Sequence, residues 1–139
     1  MEITANALQT VEANQNILFT ETPVCGNNSI IHRDGSGLVT LRGATRQCRA
    51  LFKIFFNGNI AIPTGGTVGS ISTAITIDGE PLGSSTAITT PAAVEEFSNV
   101  TSIAFISVPV GCCMTLSVRN VSTQAIEIQN ANLVIERVA

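Results

Sequence analysis

Tryptophan and tyrosine are absent from this chain of 139 residues, histidine occurs once, and only 12% of the residues are charged. Each shortage excludes something. Without Trp or Tyr, the chain lacks the amphipathic rings that glycan- and partner-binding loops commonly present. The single histidine, His32, is followed by Arg33-Asp34. A dyad with Cys25 or Cys48 is conceivable, but no spacing requires it, and a lone His at a strand end reads as a turn residue. The Glu95-Glu96 carboxylates are neighbours in sequence and do not face one another. Gly65-Gly66 lacks the following Lys and helix of a phosphate loop. The sequence therefore predicts no enzyme, no cofactor and no metal.

Basic residues are scarce too. Seven Lys and Arg against ten Asp and Glu give a net charge of −3 and a pI near 5.0, which argues against a nucleic-acid partner. Arg42, Arg46, Arg49 and Lys53 do cluster, but only Phe52 is interleaved, and a solvated loop is the expected state. No window of about 18 apolar residues exists, so no membrane insertion is expected. The start, MEITANALQT, has neither the basic residues nor the apolar run of a signal peptide. The expectation is either a start inside a longer exported protein or delivery without that signal, as suits a virion or spore-coat component.

What is present is apolar: 45% of the residues. The whole chain, 1–139, reads as one domain large enough to bury a core without relying on disulfides. Turn residues recur at short intervals and no stretch keeps a helical period. Strands are expected near Ala5–Val11, Asn16–Thr20, Ser29–His32, Leu38–Arg42, Ala50–Asn57, Ser70–Ile77, Pro81–Ile88, Thr101–Val110, Met114–Arg119 and Ile126–Glu136. Pro91–Glu96 is the one candidate for a helical turn. Asn-X-Ser/Thr triplets at Asn27, Asn99 and Asn120 carry little weight.

The strands differ in how they alternate. Ser70–Ile77 and Met114–Arg119 place apolar residues on one face only, as a half-wet sheet requires. Ala50–Asn57 and Thr101–Val110 are apolar on both faces. Phe52, Ile54 and Phe56 are assigned to the core; Leu51, Phe55, Ile103 and Phe105 form the candidate interface. A strand apolar on both sides needs two covers, here the domain's own core and a second copy of the chain.

Asn14–Phe19 (NQNILF), Ile77-Asp78-Gly79-Glu80-Pro81 and the hairpin Ala104–Val118, followed by the final strand Asn130–Arg137, resemble the jelly roll of the TNF/C1q family. The likeness runs along the whole chain as strand order, and is closest to the C-terminal heads of bacterial collagen-like exosporium glycoproteins and related phage or prophage proteins. It implies an all-β, ten-stranded antiparallel jelly-roll sandwich that forms a homotrimer. It also implies a location on the surface of a bacterium or spore, or on a phage virion. The chain departs from the pattern in having no Gly-X-Y stalk, fewer aromatic core residues and Gly111-Cys112 at a turn where Gly-Asp is frequent. No calcium-ligand set carries over.

Two roles follow. The first is a non-catalytic structural trimer, the head or decoration of a surface, spore-coat or virion assembly, with a stalk or scaffold protein as further partner. The second is a module that recognises a surface glycan or host protein through loops at one end. Strand parity groups the loops bearing Glu12, Asp34, Glu95 and Glu96 there. The same parity gathers Cys25, Cys48, Cys112 and Cys113 at one end. They are open to three readings: reduced thiols, one or two disulfides from Cys25 or Cys48 to the Cys112-Cys113 turn, or a four-Cys zinc site.

Overall fold

The computed structural model describes residues 1–26, 28–43, 49–110 and 113–139. Among these the regular elements are strands and a single 3-10 turn at Gly83–Ser85. In chain order the strands are β1 (Glu2–Ala5), β2 (Gln9–Val11), β3 (Glu21–Val24), β4 (Ile30–His32), β5 (Val39–Arg42) and β6 (Arg49–Ala61). There follow β7 (Ile71–Ile77), β8 (Glu80–Pro81), β9 (Ala87–Thr89), β10 (Ser98–Pro109), β11 (Cys113–Asn120) and β12 (Ile126–Arg137).

They form two antiparallel sheets. One runs β10-β6-β12-β1-β3, with β2 also on β12; the other runs β4-β5-β11-β7-β8, with β9 also on β7. The core lies between them. Phe52, Ile54 and Phe56 of β6 and Leu133 and Ile135 of β12 are fully buried on the inner face of the first sheet. Leu41 of β5, Ile71 and Ile75 of β7, and Leu116 and Val118 of β11 meet them from the second. The period of two along each strand sets this division, since alternate side chains point to opposite faces.

The all-β jelly-roll sandwich is as expected, with local corrections. Ala5–Val11 is broken at residues 6–8 into β1 and β2, and Pro81–Ile88 is broken by the 3-10 turn into β8 and β9. Asn16–Thr20 is not a strand. It runs extended, with one bridge from Asn16 to Arg119, Ile17 N–H donating to Val118 O (2.9 Å) and Phe19 N–H to Ser36 O (3.3 Å). Ile17 and Phe19 are completely buried, so the segment alternates like a strand without joining a ladder. The strand position falls instead on β3, whose Pro23 is tolerated because β3 is an edge. Pro91–Glu96 forms no helix; Glu95 takes a positive φ of 59°.

The outer face of the second sheet is also drier than one-sided alternation predicts. Ala74, Thr76 and Ser117 on that face are buried. Arg119, paired with Ala74, reaches across this face to donate from Nη1 to Gly79 O at 3.1 Å, so its aliphatic stem supplies cover.

Candidate interface on the exposed sheet face

The outer face of the first sheet is built from rows of cross-strand partners, because registered residues on antiparallel strands share a face. At one end of β6 and β12, Phe105, Lys53 and Glu136 align. Next comes the row Ile103, Phe55, Val134 and Glu2. Thr101, Asn57, Asn132 and Thr4 form the third, and Asn99, Asn59 and Gln129 the fourth. Beyond a β-bulge between Gln129 and Asn132, Ala61, Glu127 and Thr10 close the face.

The apolar row is open to solvent. Phe55 is 38% exposed, Ile103 50% and Phe105 62%, whereas Phe52, Ile54 and Phe56 on the opposite face of β6 have no exposure. Lys53, Phe55, Val134 and Glu136 line a shallow depression of about 210 Å³. The face thus offers an apolar stripe flanked by Lys53 and Glu136 in the adjoining row and by Glu2 at its end. β10 is the sheet's edge, and its 12 residues are paired on one side only, by β6.

Of the residues assigned to an interface, Phe55, Ile103 and Phe105 come together here. Leu51 lies further along the same strand and is half-buried, its N–H donating to Ala139 O and its O accepting from Val138 N–H. Val134 was not singled out from the sequence, because in an alternating strand an outward Val looks like any scattered apolar residue.

The loops near Glu95 are tied together. Asn14 N–H donates to Asn120 O (2.9 Å) and Asn120 N–H to Gln15 O (3.0 Å). Gln124 clasps Thr67 through Nε2 to its O (2.6 Å) and Oε1 from its N–H (2.9 Å). Glu95 Oε1 accepts from both Thr64 N–H and Thr64 Oγ1 at 2.9 Å. Glu12 and Glu96 are exposed. Asp34 accepts from Thr22 Oγ1 at 2.6 Å, and its turn is held by Gly35 N–H to Phe19 O. His32 is buried at its side chain, with Nε2 bonded to Ser36 O at 2.9 Å and Nδ1 3.9 Å from Asp34 Oδ1.

The acidic partner of Glu95 is Glu127, which sequence reasoning passed over as one more polar residue on an alternating strand. Burial raises the Glu127 carboxyl above the usual value of 4.5, helped by its hydrogen bond and like charge with Glu95. The Thr64 hydroxyl lowers Glu95, against a burial effect that raises it; the Thr64 N–H and Glu127 lower it further. These opposite directions favour, near pH 4.5, the arrangement in which a protonated Glu127 donates to an ionised Glu95.

The signs fix a pH dependence. A depressed carboxyl contributes stability that is lost as pH falls through its folded pKa, and a raised one contributes stability that is lost as pH rises through its own. The pair contributes most in a window straddling pH 4.5. Glu127→Gln, which keeps a donor towards Glu95 at every pH, should gain stability relative to the parent between pH 4.5 and 7.5. Urea midpoints measured across that range check this; an offset that does not change with pH would contradict it.

Cys25 is an exposed free thiol just beyond β3, and Cys113 is exposed at the start of β11, opposite Arg42. Both lie at the end of the sandwich away from Glu95 and Glu127. Cys48 and Cys112 lie outside the described residues. Among the described residues, no group of three or more His, Cys, Asp or Glu side chains is placed to hold a metal ion. No described helix is long and apolar enough to cross a membrane.

The backbone resembles solved jelly rolls. The globular domain of zebrafish complement 1qA protein overlays with a TM-score of 0.64 at 10% identity, covering 96% of this chain and 93% of that one. The fold is that of the C1q and TNF jelly roll. Eiger TNF from S. frugiperda gives a TM-score of 0.69 at 12% identity, covering 99% of this chain and 90% of that one. Murine APRIL gives 0.57 at 7% identity, covering 95% and 96%. No family model matches the sequence, and no curated protein matches it. The C1q/TNF-like expectation from strand order is met at the level of fold.

Proposed function

We propose that this chain is a non-catalytic structural module that acts as a homotrimer through the outer face of its first sheet, as the head or decoration of an extracellular, spore-coat or virion assembly. The observation that carries the reading is the exposed row of Phe55, Ile103 and Val134 beside Phe105. The jelly-roll fold supports it, because the family that the sequence resembles uses this architecture in trimers. Burying Phe55 against a neighbour contributes about 1.5–3 kcal/mol per subunit before ordering costs. Lys53 and Glu136 at the rim favour a defined docking direction more than they add affinity.

Size exclusion coupled to light scattering should give three times 14.5 kDa. Phe55→Glu should give a folded protein of one chain's mass, because the substitution puts a charge into the apolar stripe without touching the core. A parent protein that stays monomeric at micromolar concentration would sink the reading.

Recognition of a glycan or protein by the loops near Glu95 is the second reading, favoured by one feature: four connections there are fastened to one another, which gives a preformed surface. Replacing Glu95 and Glu96 by Ala would then impair attachment to the target surface more than the pairing with Thr64 alone explains.

A further inference from the structure

We propose that His32 and Asp34 form a proton-operated latch at one corner of the sandwich, closed when Nδ1 of His32 carries a proton. This goes beyond the trimer reading and does not depend on it.

Alternation along β4 turns His32 inward. Ile30 on the same face is buried, Ile31 between them is exposed, and the ladder partner of His32 is the buried Val39. The imidazole is 0% exposed, although the residue's backbone reaches solvent. Its Nε2 lies 2.9 Å from Ser36 O. A carbonyl oxygen only accepts, so this contact puts the hydrogen of the neutral ring on Nε2 and leaves Nδ1 a bare lone pair. Nδ1 is buried and has no hydrogen-bond partner. Asp34 Oδ1 lies 3.9 Å from it.

The neutral ring thus sets a lone pair against a carboxylate in a dry site, which leaves Nδ1 unsatisfied. A proton turns the same nitrogen into a charged donor beside that carboxylate. Charge-assisted N–H···O bonds run at about 2.7–2.9 Å, so closure asks a shift of about 1 Å of Asp34, whose side chain is 61% exposed. A proton also needs no open channel to a buried atom, because local opening of the turn delivers it. Imidazole takes up such a proton between about pH 5 and 8. The other ionisable side chains on the surrounding elements are Arg33 in the turn, Glu21 on β3 and Arg42 on β5. All three are exposed, and among the described residues only Asp34 lies within ion-pair distance of the ring. The extended segment 16–20 carries no ionisable side chain.

What the latch holds gives it a role. Asp34 Oδ1 already accepts from Thr22 Oγ1 of β3 (2.6 Å), Gly35 N–H donates to Phe19 O (2.8 Å), and Phe19 N–H donates to Ser36 O (3.3 Å). β3 is an edge of the first sheet and β4 an edge of the second. Closing His32 onto Asp34 adds a charged bond to the fastening between these edges. Mild acid therefore tightens this corner, and neutral pH loosens it.

The protein has a single histidine, so its signals are unambiguous. Nitrogen NMR of the full chain should show Nε2 protonated and Nδ1 bare in the neutral ring, with the added proton arriving at Nδ1. Amide hydrogen exchange at Gly35 and Phe19, corrected for intrinsic rates, should be several-fold slower at about pH 5.5 than at about pH 7.5. Asp34→Asn keeps an acceptor for Thr22 but offers the ring no charge, and should lose this difference. Acid effects arising at Glu95 and Glu127 act on both proteins alike and cancel in the comparison. A neutral ring protonated at Nδ1, no slowing in the parent, or equal slowing in Asp34→Asn overturns the proposal. If Asp34→Asn does not fold, His32→Gln serves: it retains a donor towards Ser36 O but takes up no proton, and slowing that persists in it overturns the proposal.

Discussion

Phe56→Glu should leave no folded protein at all, whereas Phe55→Glu should leave a folded one. The two residues are adjacent on β6 and chemically identical, and they differ only in the face to which the pleat assigns them. Phe56 has no exposure, lies beside Leu133 and Ser102 in the ladder, and belongs to the central cluster. A carboxylate there has no cation to meet, loses the buried ring, and costs about 5 kcal/mol or more, comparable with the whole stability of a domain. Far-ultraviolet circular dichroism of the two variants separates the cases. A folded Phe56→Glu alongside an unfolded Phe55→Glu would mean that the two faces of β6 are reversed.

Asn120→Ala should be the most destabilising polar substitution, at about 3 kcal/mol. Asn120 is completely buried where β11 ends. Its Nδ2 donates to Val11 O (3.0 Å) and Gln124 O (2.9 Å), and its Oδ1 accepts from Ser122 N–H (2.9 Å). Its backbone adds bonds to Asn14 and Gln15. One side chain thus joins the end of β2 to two points of the β11–β12 connection. Alanine leaves two carbonyls and one N–H unsatisfied in a dry site, each worth about 1–3 kcal/mol in principle, with relaxation recovering part of it. Denaturant midpoints compared with those of Asn130→Ala, an exposed residue, check the effect; equal midpoints would contradict it.

Parts of this architecture were legible in the sequence, and the reason is period. On β6 and β10 a two-residue repeat separates Phe52, Ile54 and Phe56 from Phe55, so both faces could be assigned without coordinates. The same signal misled at Asn16–Thr20, where an extended segment buries alternate residues while bonding across to Val118 and Ser36. β3 was concealed because Glu21-Thr22-Pro23-Val24 shows no apolar alternation and carries a proline, which argues against a strand unless that strand is an edge. Asn120 read as a turn residue within a glycosylation triplet, and nothing local distinguishes a turn Asn from a buried bracket. The Glu95–Glu127 pair was illegible for a related reason: two acids 32 positions apart meet only through the closure of the β12 ladder on β6.

The place of β12 in its sheet has a kinetic corollary. This strand, the last among the described residues, lies between β6 and β1 and also pairs with β2. During synthesis β6 and its partner β10 are both complete before β12 emerges, and until then the free side of β6, one side of β1 and the ladder edge of β2 wait for their common partner. Such long-range pairing predicts slow folding and a nascent intermediate with a 13-residue unpaired strand edge. Truncation before Ile126 should therefore yield an aggregating chain and not a smaller sandwich.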